Sequence, residues 1–175
     1  DLLNAHRYAA SQRAKLGQLE EVIKDYRLHI IPLGRTLMAD SPNDSRARED
    51  LAVVLMEHGS YILAQPDESR HVDAIAPLSE ARIGWAEYMS QRGADGAADL
   101  TTMRRLLQTE AALALSYMRS GDLAAAGAAI DRGALQARTA RIQWPDDVRL
   151  AAIGDYLLEL KADVLQEQSR LDQQP

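Results

Sequence analysis

Leu19, Val22, Ile23, Tyr26, Ile30, Leu33 and Leu37 follow one another at steps of one, three and four residues, which gathers all seven onto one face of an α-helix. Similar spacing recurs along the chain, and no alternating apolar and polar run reads as a strand. Breaks fall at Gly17, at 41–45, at 65–67, at 92–98, at Ser120-Gly121 and at 144–147. They divide the sequence into seven predicted helices: 2–16, one carrying the stripe just named, 46–64, 69–91, 100–119, one opening at Asp122, and 148–166. Pro32 and Pro77 fall inside the second and fourth, where a lost backbone donor predicts kinks. The polar stretch 168–175 is predicted to fray. Hydrophobic residues make up 46% of the chain but aromatic ones only 5%, with no phenylalanine. Such a core is built from Ala, Leu, Ile, Val and Met, which favours closely approaching helices.

Gly17 and Gly121 each leave only two or three residues between helices, which makes the flanking helices antiparallel neighbours. Pairs then repeat at about 2–40, 46–91 and 100–142, with the last helix left to close the array at 148–166. The reading is one all-α domain over 1–167 followed by a polar tail, 168–175.

In the third pair, Ala114, Tyr117, Gly121, Leu123, Ala126, Ile130 and Gly133 stand at offsets 0, 3, 7, 9, 12, 16 and 19. This resembles the tetratricopeptide repeat, in which small residues, an aromatic and a turn glycine alternate with larger side chains where helix B meets helix A. Around Gly17 the same offsets hold Ala10, Leu19, Val22, Tyr26 and His29, with Arg13 in place of the aromatic. His58-Gly59 with Ile62, and Ile153-Gly154 with Leu157, are similar to the helix A signature, although Pro66 replaces the second turn glycine. The repeats are about 49, 55 and 40 residues apart, longer than the family's period of about 34. The resemblance implies a tetratricopeptide-like α-solenoid of about three antiparallel pairs plus a capping helix, with Ala10, Gly59, Ala114 and Gly154 as close-approach points. The segment 50–55, followed by Leu63-Ala64-Gln65, also resembles degenerate repeats attached to bacterial serine/threonine kinases, which implies a regulatory or sensory region of a larger signalling protein.

Several chemistries find little support. A net charge of −6 argues against nucleic acid. No cysteine is present, which removes disulfides, thiolate catalysis and Cys-bound zinc. Nothing approaches the roughly 18 apolar residues of a membrane span, and the start at Asp1 reads as a piece of a longer or processed protein, suited equally to a bacterial cytoplasm or periplasm. No phosphate-cradling loop or GxSxG elbow occurs. Glu68-Ser69-Arg70-His71 is one ExxH, where a di-iron bundle wants two, so helix-terminus roles are favoured over a metalloenzyme. His6, His29, His58 and His71 are scattered, and ordinary partners are expected for them. Trp85 lies on a helix stripe, as a core residue would, and Trp144 precedes Pro145 where docking on the last helix is the plain reading.

What the resemblance implies about function is a concave inner face that holds an extended or helical segment of a partner protein, without catalysis, metal or cofactor. Projected on this sequence, the face comprises Asn4, Arg7, Ser11, Met56, Ser60, Leu63, Gln108, Leu115, Met118 and Arg119. Apolar side chains at its centre, with Arg7 and Arg119 toward the rim, suit an amphipathic peptide with an acidic end. Alternatively the long helices close the groove and make Met56, Leu63, Leu115 and Met118 core. A structural, self-associating module that forms a homodimer is the other reading.

Overall fold

The computed structural model describes residues 2–92 and 99–173, and every regular element in them is helical, with no strand. The loop-like stretch expected at 92–98 lies, from Gly93 onward, outside the described residues. Two compact units follow in sequence, Asp1–Ala97 and Ala98–Pro175.

In the first unit, α1 (Leu2–Lys15) turns into α2 (Leu19–Asp25) through Gly17, whose φ is +79°. The Gly17 N–H donates to the Ala14 carbonyl and the Gln18 N–H to that of Arg13, which satisfies the last carbonyls of α1. The chain continues without a break through a π-helical turn, Tyr26–Ile30, into α3 (Ile31–Asp40). The expected kink at Pro32 takes another form. Pro32 is the second residue of α3, and the backbone ladder has already widened upstream, where the Ile31 N–H reaches back five residues to the Tyr26 carbonyl. Asp44 caps α4 (Ser45–Leu63) by accepting from the Arg46 N–H at 2.8 Å. The fourth predicted helix divides into a 3₁₀ segment, Glu68–Ala74, and α5 (Ile75–Arg92). Pro77 therefore stands in the first turn of α5, where its missing N–H is no loss. Both prolines open a helical segment rather than bend one.

Helix α4 is the hub of this unit, packed on α2, α3, α5 and both irregular turns. Leu3, Tyr26, Ile30, Leu51, Val54, Leu55 and Ala81 form the core around it, and Leu78 and Trp85 of α5 are fully buried. Gly59 marks a close approach: a Cβ there would come within 2.4 Å of Leu78 Cγ.

In the second unit Asp99 caps α6 (Leu100–Arg119), bonding the Thr102 N–H and hydroxyl. Gly121, at φ +82°, repeats the two bonds made around Gly17, and Asp122 caps α7 (Leu123–Gln143). Asp147 caps α8 (Val148–Asp172) and pairs with Arg104 of α6. Helix α8 passes its expected end at Gln166, so the expected frayed tail is helical through Asp172. The three helices pack on one another, and Trp144 joins a cluster with Leu150 and Ile153 of α8, as expected. The closest approach is at Gly133, where a Cβ would meet Leu157 Cδ1 at 2.9 Å and Glu110 Cβ at 3.2 Å. The role foreseen for Gly154 is milder, since a Cβ there meets only Ala137, at 3.7 Å. The Glu110 carboxylate is buried and held by two bonds from Arg132, at 3.2 and 3.0 Å.

Candidate functional site

Of the residues assigned to partner contact, six lie in the first unit. Asn4, Arg7 and Ser11 are spaced three and four apart on one face of α1, and Met56, Ser60 and Leu63 on one face of α4. Arg7 is engaged internally. Its Nε and Nη2 donate to the two oxygens of Glu57 at 2.9 and 2.7 Å, and its Nη1 donates to Asn4 at 2.9 Å. The Tyr26 hydroxyl donates to the same carboxylate at 2.7 Å. The hydrogen bond to Glu57 holds the Arg7 guanidinium above its ordinary pKa, and burial raises the Tyr26 phenol well above its own. Arg7 thus ties α1 to α4, leaving it less able to pull on an acidic partner. Ser60 bonds the Met56 carbonyl of its own helix, and Met56 and Leu63 are half-buried.

Tyr26 also stacks on His58, ring centroids 5.9 Å apart and nearly parallel, and meets Tyr61 at 5.4 Å. His58 is 8% exposed, and neither ring nitrogen has a hydrogen-bond partner. The ordinary partners expected for the histidines are therefore absent here. Burial first, then the charge of Arg27, lowers its pKa to about 4, and the nearby Ile23 carbonyl opposes the shift without reaching bonding geometry. His71 is buried too, with Nε2 3.0 Å from the Gln65 carbonyl. No group of three or more His, Asp or Glu side chains among the described residues is arranged to hold a metal ion, and none of the described helices is long and apolar enough to cross a membrane.

The other four residues lie on α6. Met118 and Arg119, at its end, line an open concavity of about 830 Å³ with Leu123 at the start of α7. The far wall is the last turns of α8, including Asp163, Glu167, Arg170 and Leu171. Arg170 pairs with Glu167 along α8. Exposed Gln108 and half-buried Leu115 lie earlier on α6, and neither lines this concavity. Apolar and charged groups of both signs thus meet in one recess, which suits an amphipathic segment better than a small polar ligand.

The wall from α8 was missed by reading the tail as frayed. Its signal was present in Leu150, Leu157, Val164 and Leu171, spaced seven apart into that tail. His58 carried no comparable signal, because its isolation depends on which helices surround it. Comparison of the chain with protein-family models, with curated proteins and with solved structures returns no match.

Proposed function

We propose that this chain is a non-catalytic helical-repeat module that holds an amphipathic segment of another protein between the α6–α7 turn and the end of α8. The observation behind this reading is that Met118 and Arg119 line the concavity opposite Leu171, Asp163 and Glu167. Burial against Met118, Leu123 and Leu171 would supply affinity, and the surrounding charges would set orientation. A tetratricopeptide-like stacking of helix pairs belongs to the same reading. It is supported by the matching glycine turns at Gly17 and Gly121 and by the seat of Gly59 against Leu78. A regulatory place in a bacterial signalling protein, such as a serine/threonine kinase, rests only on the resemblance of segment 50–55 followed by Leu63-Ala64-Gln65.

The test is selection of amphipathic peptides from a displayed library on the full chain, followed by calorimetry. Met118→Asp should weaken a selected peptide by at least about tenfold, through a charge introduced into an apolar contact. Arg119→Glu should change its preference for acidic over basic ends. Peptides that bind both folded variants as well as the parent would reject this site.

A further inference from the structure

A surface helix normally turns polar residues outward, yet the outer side of α7 carries exposed Leu135 and Ile142 beside its charged residues. This helix buries Leu123, Ala126, Ile130, Gly133, Ala137 and Ala140 on one side. Its opposite side presents Ala124, Ala128, Asp131, Leu135, Arg138 and Ile142, spaced four, three, four, three and four, as along the seam of paired helices. Leu135 is 60% exposed and Ile142 84%. Helix α8 widens the surface. Lys161 Nζ bonds Asp131 at 2.7 Å and Leu157 lies against Gly133, so the two helices run antiparallel with Leu158 and Leu165 alongside Ala134 and Gly127. Leu158 is 58% exposed and Leu165 55%, and a Cβ at Gly127 would meet nothing within 4 Å. Large side chains thus alternate with small ones on an open two-helix face, leaving grooves that a similar face can enter.

We infer that this α7–α8 face is a homodimer interface, in which α7 crosses α7 of a second copy antiparallel about a two-fold axis near Leu135. The face complements itself in that register. Leu135 meets its own equivalent, Ala128 falls opposite Ile142 of the second copy, and Asp131 comes opposite Arg138 of the second copy, on both sides of the axis. Each Asp131 would then bridge its own Lys161 and the second copy's Arg138. Size also fits. An axis near Leu135 overlaps residues 127–143 of α7, about 25 Å at 1.5 Å per residue, and a strip about 20 Å wide that includes α8 gives roughly 500 Å² per copy. The total, roughly 1,000 Å², is at the lower edge of specific pairwise interfaces. Asp163 of the concavity points to nearly the opposite side of α8 from Leu165. Ser169, which also lines it, lies one turn beyond Leu165 on the same side, so the second copy would approach that rim of the recess.

The experiment is sedimentation equilibrium of the full chain between about 1 and about 100 micromolar. The parent should reach dimer mass at the upper end and dissociate on dilution. Leu135→Glu and Ile142→Lys alter exposed side chains, so both should keep the parent's circular dichroism, and its melting at concentrations where the parent is monomeric, while raising the dissociation constant at least about 100-fold. Arg138→Asp alone should weaken the dimer, and Asp131→Arg combined with Arg138→Asp should recover it. A parent that stays monomeric throughout, as a face covered by some other protein would leave it, overturns the proposal. So does a folded Leu135→Glu chain that dimerises like the parent, or a reversed charge pair that fails to recover.

Discussion

Inside the first unit, the Tyr26 ring stacks on His58, a buried histidine whose two ring nitrogens have no hydrogen-bond partner. The chain keeps His58 neutral down to about pH 4, whereas an unfolded chain protonates it near 6.5. Between those values the unfolded state binds the extra proton, so the contribution of neutral His58 is complete above pH 6.5 and is lost as pH falls toward 4. A shift of that size is worth about 3 kcal/mol over the whole window. Urea unfolding at pH 7 and pH 4.5 should therefore show the parent losing about 2 kcal/mol more than His58→Phe, which preserves the stack on Tyr26 and removes the titration. Equal losses in the two proteins would mean that other groups dominate. None of this was legible in the sequence, where His58 reads only as part of a His-Gly pair on helix A. The same holds for Arg7: its residue type suits an acidic partner, but Glu57 lies 50 positions away and claims it first. Long-range pairs of this kind are decided by which faces meet, and one chain's periodicity says nothing of that.

Elements were far more legible, because helix ends are written in local chemistry. Asp44 and Asp122 cap as their positions imply, and α6 runs from Leu100 to Arg119 as read. Misjudged were the prolines and the last helix. A proline removes one donor wherever it stands, but only neighbouring geometry decides whether that donor was needed. Upstream of Pro32 the π turn makes it unnecessary, and upstream of Pro77 a 3₁₀ segment leaves the proline in a first turn. Close packing of α4 on α5 can be tested at Gly59. Its Cβ would overlap the Leu78 side chain, so Gly59→Ala should destabilise the chain by about 1–3 kcal/mol despite the better helix propensity of alanine. Leu78→Ala in the same chain should make the Gly59→Ala step nearly neutral, a coupling that chemical denaturation of the four proteins would measure. Additive costs would remove Leu78 as the cause.

At the scale of the molecule, the question is what a unit needs in order to hold together. A repeat in a solenoid contacts its neighbours and is unstable alone, since each pair leaves an apolar face to be covered. The second unit has other means. Its three helices pack mutually, Leu106, Leu107, Leu113, Ile130, Leu150 and Leu157 are almost fully buried, and three helix starts are capped by Asp99, Asp122 and Asp147. Gly133 seats α8 against α6 and α7 together, because Leu157 and the Glu110 stem both close on it. The buried Glu110 charge is answered within the unit by Arg132. The three caps, the Gly133 seat and the Arg132–Glu110 pair all lie within 99–173, so a fragment spanning 98–175 should fold, with helical circular dichroism and a single cooperative melt. Below about 80 residues the margin is small, and the outer face of α7 and α8 supplies a second source of stability if copies pair. The fragment's melting temperature should then rise with protein concentration, while that of its Leu135→Glu variant should not. A fragment that is helical but melts without cooperativity would show that neighbouring helices complete its core, as the solenoid reading alone would have it.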